Sequence, residues 1–384
     1  MLLLGLRCSS CGEWHESTIR YQCEACGNSL MAEYDYNRIF RKFSFENAGM
    51  ASGIWRFKPL LPVGPNVAPV TLGEGSTPLL RANRLESALS LANVFLKNET
   101  VNPTLSFKDR ALSVALTVAG QLGAEAVVTA STGNTGVSAA AYAAKAGLPC
   151  TLFVPKSTPR AKLYAMKRYG ASLHQVDGTF SDAYLMAKEV AERKRWFNLT
   201  STFLNPFAVE GHKTLAYELV EQMKEVPDWV IIPIGAGPLL VSVYRGFLEL
   251  RLAGRINTMP RLVGVQAAGC APIARAFAQD KTEVEPWEAP ETVLSAIADP
   301  LSSYPADGSR TLKIIRESGG QVVAAPDEAV LGDQEWLTRQ EGLYVENASA
   351  STLTALKILL KQRVIRESDS VVLVLTGHGT KETE

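Results

Sequence analysis

Short apolar runs alternate along this chain with longer stretches in which apolar residues return every three or four positions. Val94-Phe-Leu-Lys97, Ala126-Val-Val-Thr-Ala130, Cys150-Thr-Leu-Phe-Val154 and Asp228-Trp-Val-Ile-Ile-Pro233 are too short for helices and rich in β-branched residues, so each predicts a buried strand. Arg261-Leu-Val-Gly-Val-Gln266, Gln321-Val-Val-Ala-Ala325 and Val371-Val-Leu-Val-Leu-Thr376 read the same way. Ala111, Val114, Ala115, Val118 and Leu122 share one face of a helix predicted over 106–122, with Ser106 placed to cap it. Further helices are expected over 136–146, near 160–169 and over 240–252. Strands and helices in alternation predict βαβ units on a mostly parallel sheet. Two stretches lack periodicity: 36–69 reads as a wrapping linker, and 280–310, rich in Pro, Ser and Asp, as a long irregular segment.

Composition narrows the function classes. The 384 residues leave room for two or three domains, and 46% of them are hydrophobic, an ordinary globular share. Basic and acidic residues balance at 39 each with no long run of one sign, so the clustered basic footprint of a nucleic-acid binder is absent. The longest apolar runs, such as Val371–Leu375, fall far short of the roughly 20 residues a bilayer-spanning helix needs. Met1-Leu-Leu-Leu-Gly-Leu6 has neither a basic start nor a full apolar core, so no secretory signal is expected and a cytoplasmic location follows.

Cys8, Cys11, Cys23 and Cys26 spell C-x2-C-x11-C-x2-C, and each pair closes with a glycine, Gly12 or Gly27. Such a glycine lets the chain turn tightly so that amides point at the sulfurs. Four thiolates at this spacing suit a closed, structural tetrahedral zinc. Iron in a rubredoxin-like site, a metal-free knuckle and two local disulfides are the other readings. Cys150 and Cys270 lie in apolar surroundings and read as small buried hydrophobes.

Candidate chemistry lies in five places. Lys108, in Asn102-Pro-Thr-Leu-Ser-Phe-Lys-Asp-Arg110, falls on the first turn of its predicted helix, because Pro103 disfavours helix at Asn102. A lysine there, tuned by burial and a nearby phosphate, suits a covalent bond to a carbonyl. Ser131-Thr-Gly-Asn-Thr135 follows a strand and opens a helix, so its amides and hydroxyls form an anion cradle. Gly235-Ala-Gly-Pro-Leu-Leu240 offers a second cradle, with donors at Gly235, Ala236, Gly237, Leu239 and Leu240 but none at Pro238. Thr376-Gly-His-Gly-Thr-Lys381 ends the last strand, with His378 either a proton shuttle or structural. Asn205-Pro-Phe-Ala-Val-Glu-Gly-His-Lys213 is the fifth.

These motifs, in this order, resemble threonine synthases and their relatives among the pyridoxal-phosphate enzymes of the tryptophan-synthase-β fold. The resemblance covers about 70–381, including Gly73-Glu-Gly-Ser-Thr-Pro78 and Glu346-Asn-Ala-Ser-Ala350. It implies an α/β, two-domain fold type II protein with a small N-terminal zinc ribbon. The divisions would be 1–35 for the ribbon, 36–108 with 203–384 for a large cofactor domain, and 109–202 for a small one. By resemblance Lys108 is the Schiff-base lysine and Asn134 faces the pyridine hydroxyl. Ser131, Thr132 and Thr135 would face the substrate carboxylate, the Gly235–Leu240 loop the cofactor phosphate, and Thr376 the pyridine nitrogen. A neutral partner at that nitrogen suits β-elimination and replacement. A small amino-acid substrate and a homodimer are implied too.

The chain departs from the family pattern at three places. Leu105 and Ala111 replace glycines, and both read as helix-compatible. Ala208 replaces the arginine of N-P-x-R-x-E-G-x-K that grips the phosphate of O-phosphohomoserine, a strong fork for a dianion. Arg160, Lys162 or Lys213 would have to compensate. Three functions therefore stand at this level: a threonine-synthase-type lyase on O-phosphohomoserine, an ammonia-lyase or β-replacement enzyme on threonine, serine or hydroxyaspartate, and a silent binding module using the ribbon as its partner-binding element.

Overall fold

The computed structural model describes residues 2–48, 52–131, 133–156, 158, 160–178, 180–200 and 202–382. These residues divide into two units, one made of Met1–Ser76 and Asn102–Thr214 and the other of Thr77–Val101 and Leu215–Thr383.

The first unit begins with a three-stranded antiparallel ribbon in the order Trp14–His15, Leu3–Cys8, Leu30–Tyr34. Its second sheet has four parallel strands in the order Ser172–Val176, Cys150–Pro155, Val127–Ala130, Phe197–Asn198. Val127–Ala130 is buried throughout, which is why it shows no alternation of apolar and polar positions. Helices Lys108–Gln121, Asn134–Ala146 and Phe180–Lys194 belong to the same unit. The wrapping segment carries a 3-10 stretch, Gly53–Leu60, that buries Ile54, Trp55 and Phe57. Its anchor is the carboxylate of Glu74, wholly buried. Glu74 accepts hydrogen bonds from Trp55 Nε1 (2.8 Å), Ser113 Oγ (2.5 Å), Tyr142 O–H (2.7 Å), Thr71 Oγ1 (3.1 Å) and the Leu72 amide (3.0 Å). Five donors satisfy the charge inside the protein, as a buried carboxylate requires.

The second unit is built on a six-stranded sheet in the order Gln321–Ala325, Arg261–Ala267, Trp229–Pro233, Ser370–Leu375, Asn93–Asn98, Leu79–Arg81. All neighbours are parallel except the last pair. Ser370–Leu375 is central and buried at every position. The core gathers Val94, Leu96, Ile231, Val263, Leu353, Leu356 and Leu373 between strands and helices.

The predicted strands and helices appear, with two corrections. The Lys108 helix begins at Lys108, not at 106, and Phe107 is its N-cap without a side-chain cap. Ser106 instead has its hydroxyl buried, with no hydrogen-bond partner among the described residues. The stretch over 280–310 is irregular only as far as Pro305, where the helix Pro305–Glu317 starts with proline in its first turn, the position where proline's missing N–H costs nothing.

Candidate functional site

In the first unit the N-terminus of the Lys108 helix is fixed by Asp109. Its carboxylate is buried and accepts from the Thr104 amide (2.6 Å), Thr104 Oγ1 (2.5 Å) and Ser138 Oγ (2.6 Å). Ser138 lies on the Asn134–Ala146 helix, so one carboxylate holds the two helices that carry Lys108 and Asn134. Lys108 is half-buried, its Nζ 4.6 Å from the centre of the Phe107 ring. Leu105, expected to be helix-compatible, instead has φ +61°, a left-handed conformation that costs a branched side chain roughly 1–2 kcal/mol. A glycine would adopt it freely. Ala111 lies within the helix and is buried, as expected.

Ser131 is buried, and its Oγ accepts from the amides of Gly133 (3.2 Å) and Gly136 (2.9 Å), leaving its own proton to donate. Asn134 and Thr135 are the first two residues of the following helix. Thr132 lies outside the described residues.

The motif from Asn205 to Lys213 folds as a short helix, Ala208–His212, laid on the Lys108 helix. Asn205 Oδ1 accepts from the amides of Phe207 and Ala208, both at 3.0 Å. Ala208 is half-buried and brings no charge. Lys213, offered as a substitute for the missing arginine, is wholly buried and ion-paired with Glu210 at 2.8 Å, so it is committed elsewhere. His212 is buried with its ring 5.0 Å from that of Phe107. Burial first, then the charges of Lys108 and Arg110, hold its imidazole well below the ordinary value, so it stays neutral. Sequence reasoning passed over Asp109, His212 and Glu74; each stands beside a motif residue but carries no spacing signal of its own.

The four cysteines converge. Their sulfurs lie within 4.8 Å of one another, with Cys8–Cys26 at 3.4 Å, Cys11–Cys26 at 3.5 Å and Cys11–Cys23 at 3.6 Å. A tetrahedron of Zn–S bonds of about 2.3 Å has sulfur–sulfur edges of about 3.8 Å, close to these separations. None of the six cysteines is in a disulfide, and Cys150 and Cys270 are buried. Gly12 and Gly27 have φ +75° and +72°, the left-handed turns expected after each pair. Asn28, by side chain and amide, draws the Cys26 thiol down to about 6. His15 Nε2, 3.4 Å from Cys23 Sγ, is an outer partner that the C-x2-C spacing did not reveal.

In the second unit Gly237 has φ +93° and caps the helix Pro238–Leu252. A side chain there would lie 2.3 Å from Thr311 Cγ2, and Thr311 Oγ1 donates to the Ala236 carbonyl at 2.6 Å. The first intrahelical acceptor, Gly237, takes the Val241 amide, so Leu239 and Leu240 keep first-turn N–H groups available for an anion. Gly235 lies against Asp299, whose carboxylate accepts the Leu301 amide and the Tyr304 hydroxyl. Thr376 is buried and its hydroxyl meets Ser349 Oγ at 3.1 Å. His378 Nδ1 bonds Thr380 Oγ1 at 2.9 Å and accepts the Thr380 amide.

A profile of pyridoxal-phosphate-dependent enzymes matches residues 70–377. The chain belongs to that family. It is similar to a threonine synthase of Methanocaldococcus jannaschii, 40% identical over 382 residues, spanning 98% of this chain and 93% of that one. It is similar to a threonine synthase of Mycobacterium tuberculosis at 36% identity over 85% of this chain and 88% of the other. Among solved structures, maize serine racemase superimposes with a TM-score of 0.67 at 21% identity, over 79% of this chain and 88% of that one. A diaminopropionate ammonia lyase from Escherichia coli gives 0.69 at 18% identity, over 81% and 86%. These two show the fold, the fold type II arrangement expected for a pyridoxal-phosphate enzyme. Taken unit by unit, the residues suit that cofactor's chemistry: the first unit offers a half-buried lysine on a helix's first turn and a neutral donor at Ser131, and the second an amide-lined glycine turn and the Thr376 hydroxyl.

Proposed function

We propose that the chain is a threonine-synthase-type lyase that converts O-phosphohomoserine and water to threonine and phosphate. The observation that carries this reading is the half-buried Lys108 on the first turn of a helix clamped by Asp109, in a chain whose whole length is kin to threonine synthases. Pyridoxal phosphate, when bound, supplies an electron sink for the substrate's α-carbon. Lys108 would hold it through its amine, and the same amine would move a proton at the substrate's carbon. The amides of Gly235, Ala236, Gly237, Leu239 and Leu240 take its phosphate, Asn134 its ring hydroxyl and Thr376 its ring nitrogen. Ser131, Thr132 and Thr135 hold the amino acid's carboxylate through neutral donors.

With Ala208 uncharged and Lys213 paired, the substrate's phosphate falls to Arg160, exposed, and Lys162, buried. The missing arginine also favours a second reading, an ammonia-lyase or β-replacement enzyme for an unphosphorylated hydroxy-amino acid. Following the visible spectrum while assaying phosphate and ammonia separates the two. Phosphate and threonine from O-phosphohomoserine are expected. Ammonia from threonine, serine or hydroxyaspartate, with O-phosphohomoserine inert, would establish the second.

The reading extends to one structural zinc held by Cys8, Cys11, Cys23 and Cys26, and to a homodimer in the cytoplasm. Among the described residues no helix is long and apolar enough to cross a membrane. Metal analysis is expected to give about one zinc per chain, and light scattering twice the monomer mass.

A further inference from the structure

The cysteine ribbon holds the short helix Ala208–His212 at two places. Midway along it, Tyr34, the last residue of the ribbon strand Leu30–Tyr34, donates its hydroxyl to Glu210 Oε2 at 2.9 Å. The same oxygen pairs with Lys213 Nζ at 2.8 Å, and that ammonium lies 4.2 Å from the Tyr34 ring centre. All three side chains are buried. At the N-terminal end Tyr21, two residues before Cys23, accepts the Asn198 amide at 2.6 Å and meets Phe197 edge-on at 6.1 Å. The Asn198 carbonyl accepts from Asn205 Nδ2 at 2.7 Å, and Asn205 Oδ1 caps the helix through Phe207 and Ala208.

The gripped helix is in backbone contact with the helix of Lys108. A side chain at Gly211 would lie 2.0 Å from the Arg110 carbonyl oxygen, so the two backbones touch there. Arg110 Nη1 donates to Thr214 Oγ1 at 3.0 Å, and His212 packs on Phe107, the residue before the lysine. The ribbon strands are themselves held together at the cysteines, because Cys8 pairs with Leu30 in the strand that ends at Tyr34.

We propose that Tyr34 and Tyr21 are positioning residues that couple metal loading at the four cysteines to the placement of Lys108, through the Ala208–His212 helix. The ribbon is then a buttress of the lysine's own unit and not a partner-binding appendage. The inference rests on the roles proposed above for the cysteines and for Lys108. A bond from a neutral hydroxyl to a buried charged carboxylate is strong enough that its loss changes a local opening equilibrium about tenfold.

The test compares full-length wild type, Tyr34→Phe and Arg7→Ala, each zinc-loaded and chelator-treated, by amide hydrogen exchange over 205–214 and by titration with pyridoxal phosphate. Among the described residues Arg7 pairs only within the ribbon, on Glu33 and the Gly12 carbonyl, and is the control. Zinc-loaded Tyr34→Phe should keep its metal yet exchange about tenfold faster over 205–214 and hold the cofactor several-fold more weakly. Removing zinc from wild type should do the same, and removing it from Tyr34→Phe should add little, since both cut one path. Wild-type exchange in zinc-loaded Tyr34→Phe, additive effects of the two changes, or an equal effect of Arg7→Ala would overturn the proposal. If wild type binds no pyridoxal phosphate, the function proposed above fails instead, while the exchange data still decide whether ribbon and helix are coupled.

Discussion

Replacing Gly211 by alanine should force the Ala208–His212 helix off the Lys108 helix. The added carbon would lie 2.0 Å from the carbonyl oxygen of Arg110, 2.6 Å from its carbon and 3.0 Å from the Cα of Ala111. All three are backbone atoms, so no side chain can swing aside. Ordinary contact begins at 3.4 Å, so the two backbones must part by about 1.4 Å, the difference between 3.4 and 2.0 Å. Overpacking of this kind costs typically 1–3 kcal/mol, and with rigid neighbours the upper end, about 3 kcal/mol, is expected. At a few degrees per kcal/mol that lowers the melting temperature by roughly 6–12 °C. Gly332→Ala is the internal contrast. Gly332 lies inside the helix Asp327–Trp336 with nothing within 4 Å of the added carbon, so the same substitution should stabilise by about 0.5–1 kcal/mol. Urea and thermal unfolding of both variants, with cofactor titration of Gly211→Ala, measure the difference. Wild-type stability and cofactor affinity in Gly211→Ala would refute the close approach and the buttress built on it.

Lys108→Ala should leave melting within a degree or so, because the side chain is half-buried, while borohydride no longer fixes cofactor to the protein by mass spectrometry; retained turnover would remove Lys108 from its role. Glu74→Ala takes the acceptor from the buried Tyr142 hydroxyl, while Trp55 keeps Ser113 Oγ and Ser113 keeps the Val70 carbonyl, so it should cost about 1–3 kcal/mol in chemical denaturation, against a small effect if the network is dispensable. His212 is neutral when folded and takes up a proton on unfolding below about pH 6.5, so stability should rise with pH through that region and fall by up to about 1.4 kcal/mol per unit on acidification. His212→Leu should flatten that slope in pH-resolved unfolding curves; an unchanged slope would assign it to other groups.

The strands and helices of the sheets were legible because they are buried on one stripe or on both faces, and that leaves periodicity or an unbroken apolar run in the chain. The cysteine cluster was legible from spacing, since two glycine-closed turns bring four sulfurs together whatever surrounds them. Ser106 and Leu105 were misread because their conformation is set by Asp109 drawing the Thr104 backbone inward, an interaction that propensity does not contain. The helix at Pro305 was hidden by Pro305-Ala-Asp-Gly308, which reads as a breaker; the glycine is there because Leu301 Cδ1 would lie 2.5 Å from any added carbon. The tyrosine anchors were illegible for a simpler reason. Tyr34 and Glu210 lie 176 residues apart, and no local pattern announces a partner at that distance.

The six-stranded sheet sets a timetable for synthesis. Asn93–Asn98 is made early, but its parallel neighbour is Ser370–Leu375, which also pairs with Trp229–Pro233. The middle strand is thus made long after both of the strands it joins. At 5–20 residues per second the early strand waits on the order of half a minute with one hydrogen-bonding edge unclaimed. Until then the nascent chain offers two separated half-sheets with apolar faces, the state in which chaperone capture and aggregation compete. A chain cut short before residue 370 would keep its cysteine ribbon and its lysine but have its second sheet split down the centre.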